Sequence, residues 1–210
     1  MNIVFEKDPK IKVASFEDLL EPPVVLRVGD EINDALVKAV EEEMRRAHLT
    51  GQAVIPVMIH SFGGCVYSLL ALTQILRSAR KPVLTCVNGA AFSAAAILAS
   101  YGTPGYRCAS RQATFMIHEV SSGYFGKLHE LESNAEETRR LNTLLFQEMA
   151  KNCGKSETYF LEQIHERNHA DWFLTPEEAL QHGIIDKIGI PCLKLRVAIS
   201  SSVEWEEAQL

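Results

Sequence analysis

Short β-branched runs alternate along this chain with longer stretches in which apolar residues recur every three or four positions. Val24 to Val28 is a β-branched run stopped by Gly29-Asp30, which predicts a strand and a turn. From Ala35 to Ala47, apolar residues at 36, 37, 40, 44 and 47 with acids between them predict an amphipathic helix. Ala53 to His60 predicts a second, buried strand, followed by a turn at Ser61-Phe62-Gly63-Gly64. Val66 to Ile75 is apolar almost all round, the pattern of a helix buried on both sides. Pro82 to Val87 predicts a third strand, Ala90 to Ser100 a third helix and Thr114 to Ile117 a fourth strand. This βαβα alternation calls for an α/β fold, with a largely parallel sheet and helices packed on its faces. Ligands of such sheets bind beyond the carboxyl ends of the strands. Gly63, Gly64, Ser93 and His118 all fall just past predicted strand ends and are expected to converge.

The stretch from Leu128 to Met149 differs in kind. Its apolar positions 128, 131, 135, 141, 145 and 149 form one stripe, while Glu130, Glu132, Glu136, Arg139 and Arg140 fill the other faces. Its length, well above the mean of about 11–12 residues, suggests an extension that packs against something outside the domain. Farther on, Thr175-Pro176-Glu177-Glu178 is a capping box with proline at the first helical position. That helix stops at Gly183, and Ile184-Ile185-Asp186 predicts a final short strand. Residues 1–22, weakly periodic and ending at Pro22-Pro23, read as an arm; residues 23–190 read as one domain and 191–210 as a tail.

Composition narrows the function classes. With 210 residues, 47% hydrophobic and 23% charged, the chain is long enough for a sizeable core. A net charge of −6 argues against nucleic acid or an anionic membrane as partner. Glu6, Lys7, Asp8 and Lys10 interrupt any signal-peptide apolar region, and Asn88, Ser93, Gly102 and Pro104 punctuate the longest apolar run. Cys65, Cys86, Cys108, Cys153 and Cys192 are odd in number and show no CxxC pairing, so they read as reduced thiols of a cytoplasm-like compartment.

Gly89-Ala90-Ala91-Phe92-Ser93-Ala94-Ala95 sets one hydroxyl among small residues at the start of a helix. There, free N–H groups and the helix dipole favour developing negative charge, and small neighbours let a second peptide chain approach. Nucleophilic serine catalysis also needs a base, a carboxylate to hold that base, and donors for the oxyanion. His118 ends the apolar strand Phe115-Met116-Ile117, and Asp171 precedes the large apolar residues Trp172-Phe173-Leu174. Gly63-Gly64 offers bare backbone N–H groups. Each signal is weak alone; their order and spacing carry the inference.

In that order and spacing the chain, from about Val24 to Ile188, resembles the Clp protease proteolytic subunit family of self-compartmentalised serine peptidases. Ile59 to Val66 is similar to the family's INSPGG segment, and Ser93 to Gly102 to its ASMxAxLLAAG segment, with the same serine-to-glycine spacing. Arg111 to Glu119 is similar to the R-x-MIHQ strand, and Asp171 to Asp186 to D-x-F-x-x-x-EA-x-x-x-G-x-ID. The resemblance implies a spiral core of βαβ units, as in crotonases, with a protruding strand-and-helix handle from roughly 120 to 151. It implies Ser93 as nucleophile, His118 as general base and acid, and Asp171 as the orienting carboxylate. The amides of Gly64 and Ala94 would line the oxyanion hole. The backbone of Gly63, Cys65, Ser121, Ser122 and Gly123 would pair with an extended peptide by strand addition. An unfolded polypeptide or peptide substrate, two stacked heptameric rings and a separate AAA+ unfoldase follow from the same likeness, with no cofactor and no metal. The chain departs from the family pattern at Phe62, which replaces a proline, and in the stretch Val87 to Ser93, one residue longer than usual. Ala170 stands where many members carry an arginine that helps join the rings.

A rival motif is His165-Glu166-Arg167-Asn168-His169, which satisfies the HExxH pattern of zinc metallopeptidases. That chemistry needs a buried helix with uncharged residues between glutamate and the second histidine, where Arg167 and Asn168 stand here. No third ligand follows at a metzincin spacing, although His182, Glu177 and Asp186 are candidates. The motif reads as a chance match on a polar loop or helix end. Two further alternatives are a catalytically silent scaffold subunit and a crotonase-type acyl-CoA enzyme.

Overall fold

A computed structural model describes residues 23–192, and among these β1 (Leu26–Ile32), β2 (Ile55–Gly64) and β3 (Val83–Phe92) run parallel in a seven-stranded sheet, with β1 at its edge. The path continues through β4 (Arg107–Ala109) to β7 (Lys187–Ile188), while β5 (Thr114–Ile117) pairs with β3 and with β6 (Trp172–Leu174). Only the β5–β6 pair is antiparallel. β3 is long enough to serve two partners in sequence. Its residues Thr85 to Val87 pair with β4, and Ala90 to Phe92 pair with β5.

The helices follow the apolar periodicity. α1 (Asp34–Leu49) is capped by Asn33, whose side chain accepts the N–H of Leu36, and buries Val40, Met44 and Ala47. α2 (Val66–Arg77) buries Leu69, Leu72 and Leu76. α3 (Ala94–Ala99) is buried at all six positions, which its alanines permit against the sheet. α4 (Leu128–Asn152) is the 25-residue helix that the long stripe predicts. α5 (Tyr159–Glu166) follows, and α6 (Pro176–Gln181) starts on the Thr175–Glu178 capping box as its sequence predicts.

Several boundaries move, each for a tertiary reason. The helix predicted from Ala90 begins at Ala94, because Ala90 to Phe92 stay extended to pair with β5. The turn predicted at Gly29-Asp30 is a bulge inside β1, where the register steps from Gly29 opposite His60 to Glu31 opposite Gly63 and Asp30 takes a φ of 54°. Ser61 steadies it by donating its hydroxyl to the Asp30 carbonyl. The final strand is Lys187–Ile188 and not Ile184 to Asp186, because both isoleucines are buried in the core and Asp186 is bound to Arg107. β4, β6 and α5 have no counterpart in the sequence reading; at three, three and eight residues they are too short to establish a period. Of the handle expected over residues 120–151, the helical part is α4, and residues 119–125 are irregular. The expected arm 1–22 and residues 193–210 of the expected tail lie outside the described residues. No described helix is long and apolar enough to cross a membrane.

Candidate active site

Ser93 occupies the junction between β3 and α3, with φ 55° and ψ −123°. A non-glycine residue in this region is strained by about 1–3 kcal/mol. The strain is held by the Ser93 N–H, which donates to the Met116 carbonyl on β5 at 2.7 Å, and by Ala96, whose N–H binds the Ser93 carbonyl at 3.0 Å. The Ser93 hydroxyl makes no capping bond to its own helix. It stands at a strand–turn–helix elbow, the geometry that lifts a serine hydroxyl clear of a sheet.

The approach to that elbow is built by two irregularities. Between Ile59 and Ser61 of β2, the facing strand advances from Val87 to Ala91, so two steps of β2 match four of β3. His60 fills the bulge, its Nδ1 accepting the N–H of Ala90 at 3.1 Å. A β-carbon on Gly89 would stand 2.3 Å from that nitrogen, so glycine is required. On the other side Gly63 takes φ 99°, its N–H bound to the Ser61 hydroxyl at 3.1 Å. A β-carbon there would come within 2.9 Å of the Ser93 β-carbon. Gly64 follows at φ 150°, tight against Ile32. Ala94, as first residue of α3, has an N–H without an intrahelical partner.

Strand register brings the other two residues to the same rim. Phe92 lies opposite Met116, so Ser93 lies beside Ile117, and His118 is the next residue of that chain. Ile117 lies opposite Trp172 on antiparallel β6, so one further step sets His118 against Asp171. Ser93 and His118 line one cavity of about 40 Å³, together with Gly64, Ala94 and Ser121. Its remaining walls are apolar: Val66, Leu69, Ile97, Val120, Leu145 and Phe146. Asp171 is exposed and does not line the cavity. No hydrogen bond joins the side chains of Ser93, His118 and Asp171 to one another among the described residues; the nearby polar bonds belong to Glu119, His169 and Asn142. Such bonds are often long in unliganded enzymes and tighten around substrate.

The expected peptide-binding backbone divides in two. Ser121, Ser122 and Gly123 are exposed, with no backbone hydrogen bond from any of them among the described residues, and Gly123 has open space around it. Cys65 donates its N–H to Ile32 and accepts Leu69 at its carbonyl, so its amide is committed within the fold. The Cys65 thiol is held below the usual thiol range chiefly by the N–H of Ser68, against an opposing effect of burial.

The HExxH histidines do not assemble a zinc site. α5 ends at Glu166, and His169 lies past it in a left-handed conformation, φ 60°. Its Nδ1 faces Glu119 at 2.8 Å and its Nε2 faces His165 at 3.3 Å. Among the described residues no group of three or more His, Cys, Asp or Glu side chains is arranged to hold a metal ion. His182 is engaged with the Tyr159 hydroxyl and Asp186 with Arg107, which removes two of the candidate third ligands.

Sequence reasoning missed His60, Ser61 and the Glu119–His169 pair. Nothing along the sequence identifies the partner of any of them.

Comparison with known proteins gives the family. A family model described as Clp protease matches residues 11–191. The chain is 32% identical over 175 residues to ATP-dependent Clp protease proteolytic subunit 2 of Corynebacterium jeikeium, covering 82% of this chain and 81% of that relative. It is 36% identical over 135 residues to proteolytic subunit 1 of Corynebacterium diphtheriae, covering 64% of this chain and 63% of that relative.

Proposed function

Because the chain belongs to the Clp protease family, we propose that it is a serine endopeptidase subunit in which Ser93 is the nucleophile, His118 the general base and acid, and Asp171 the carboxylate that orients it. The observation that carries this reading is the strained elbow at Ser93, whose uncapped hydroxyl shares a cavity with His118. The Ser93 oxygen attacks the peptide carbonyl while His118 accepts its proton. The C–N bond then breaks, and His118 returns the proton to the departing amine. Water, deprotonated by the same imidazole, hydrolyses the acyl-enzyme and restores the serine. Asp171 holds the imidazole tautomer, and the N–H groups of Gly64 and Ala94 receive the oxyanion.

The substrate is an unfolded polypeptide or peptide bound as an added strand between Ser121–Gly123 and the Gly63–Cys65 side. Of the latter, Gly63 remains as the contact, because both backbone groups of Cys65 are engaged within the fold. The apolar walls favour a medium-sized apolar side chain before the scissile bond, since a charge there would lose its hydration. The working assembly is a pair of stacked heptameric rings in the cytoplasm, fed by a separate AAA+ unfoldase. Neither cofactor nor metal enters the chemistry.

The test is labelling by a fluorophosphonate probe, read by peptide mapping. Wild type is expected to carry the label on Ser93 and to cleave peptides, with both lost in Ser93→Ala and reduced at least ~100-fold in His118→Ala. An unlabelled wild type that assembles normally would identify a silent scaffold. Cleavage abolished by a chelator would restore the zinc reading.

A further inference from the structure

We propose that Glu119 and His169 form a clamp that positions His118 and Asp171, an inference that rests on the triad reading above. Glu119 follows His118 directly, and only Ala170 separates His169 from Asp171. The two meet through His169 Nδ1 and Glu119 Oε2 at 2.8 Å. The other Glu119 oxygen accepts the side-chain NH2 of Asn142 of α4 at 3.3 Å, and the Asn142 side-chain oxygen, Oδ1, accepts the Val120 N–H at 2.9 Å. One carboxylate therefore ties together the end of β5, the long helix and the loop into β6. His169 donates from Nδ1 to the carboxylate and accepts His165 at Nε2, so a single tautomer satisfies both contacts.

The backbone gives the clamp its purpose. Asn168 and His169 are consecutive left-handed residues, at φ 53° and 60°. Such positions cost of order 1–3 kcal/mol each and persist where surroundings over-determine them. Here the His169 N–H binds the Ile164 carbonyl at 3.0 Å, and beyond Asp171 the Arg167 guanidinium lies 4.2 Å over the Trp172 ring. Asp171 itself is exposed, just before a three-residue strand. The His169–Glu119 contact is the side-chain link that spans from the Asp171 loop to the His118 strand. Both side chains are about half exposed, 52% and 40%. A pair so exposed contributes at most about 1 kcal/mol to folding. Its effect is therefore on geometry, since a 1 Å misplacement in an active site costs roughly 100-fold in rate.

The experiment uses the full-length assembled protein with Glu119→Ala, His169→Ala, the double variant, and Glu119→Gln, whose amide oxygen still accepts the imidazole N–H while its NH2 gives up the longer Asn142 contact. Each is assayed for peptide turnover, rate of fluorophosphonate labelling, melting temperature and assembly mass. The two alanine variants are expected to lower kcat and labelling about tenfold with KM within about twofold and the fold unchanged. The double variant is expected to match either single one, because both break the same link, and Glu119→Gln to retain wild-type turnover within about threefold. Alanine variants at wild-type rates, additive losses in the double variant, or losses that track a fallen melting temperature would each overturn the clamp. If the wild type is not labelled, the triad reading fails and the clamp with it; if wild type is labelled and the alanine variants keep its rate, only the clamp fails.

Discussion

Gly63 illustrates how much chemistry rests on a missing side chain. It lies at φ 99°, with the Phe92 carbonyl, the Ser93 β-carbon and the Ala94 N–H all closing on the place a β-carbon would take. Gly63→Ala is expected to destabilise the fold by about 1–3 kcal/mol through the left-handed backbone alone. It is also expected to reduce fluorophosphonate labelling of Ser93 at least about tenfold, because the elbow must shift. Labelling at the wild-type rate would mean that the Gly63–Ser93 contact has no part in setting the nucleophile. Small residues and strand ends leave a local trace of Ser93, His118 and the paired glycines in the sequence, while the role expected of Asp171 came from the family resemblance. His60 was not legible. Its role depends on two residues of one strand facing four of the next, a mismatch that exists only once the strands pair.

The long helix divides into two halves with different duties. All its buried residues, Leu141, Leu145, Phe146, Met149 and Ala150, fall in the C-terminal half, where Leu145 and Phe146 also wall the cavity. The N-terminal half carries Leu128 at 67% exposure and Leu131 at 37%, beside a wholly exposed Phe125. The apolar stripe read from sequence is continuous, yet only half of it meets this chain's own core. If rings stack through that outer half, Leu131→Asp is expected to shift native mass spectra toward smaller assemblies. The subunit's own unfolding free energy is expected to change by less than ~0.5 kcal/mol, since the side chain touches no core. An unchanged assembly mass would remove α4 from the contact. Glu137 on this helix is held down to about 2, chiefly by Arg140, and also accepts the Tyr67 hydroxyl of α2 at 3.1 Å.

At the scale of the molecule, Arg107 closes the fold. Its side chain is buried, with Nε donating to Asp186 at 3.0 Å and Nη1 to the Asn152 carbonyl at 2.8 Å, while Gly105 donates its N–H to the same carboxylate at 2.7 Å. This joins β4, the end of α4 and the approach to β7. Asp186→Asn leaves the guanidinium without its counter-charge and is expected to cost roughly 3 kcal/mol, read from the urea midpoint. Burial raises the Asp186 pKa, but the Arg107 donors and charge outweigh it and hold the carboxyl below its usual range. Burial against Trp172 and Tyr159 likewise holds His182 below the usual histidine range, so it is neutral in the fold. Both groups have depressed folded-state values, so the stability they contribute is present at neutral pH and lost on acidification. The loss is expected to begin for His182 below about 6.5 and for Asp186 below about 3.9. Urea midpoints that hold steady or rise from pH 7 to pH 5 for His182, or from pH 4 to pH 2 for Asp186, would contradict that sign.

The amino-acid sequence by itself determined the α/β class and the order of the main elements, and it set Ser93 and His118 just past strand ends, where they come to line one cavity. Periodicity, caps and small-residue runs are local properties, and they survive in one dimension. Strand partners, the two bulges that shape the elbow, and the contact between Glu119 and His169, 50 positions apart, were decided only by the tertiary structure. Side chains distant along the backbone acquire meaning from register, and register is fixed by the packed sheet as a whole.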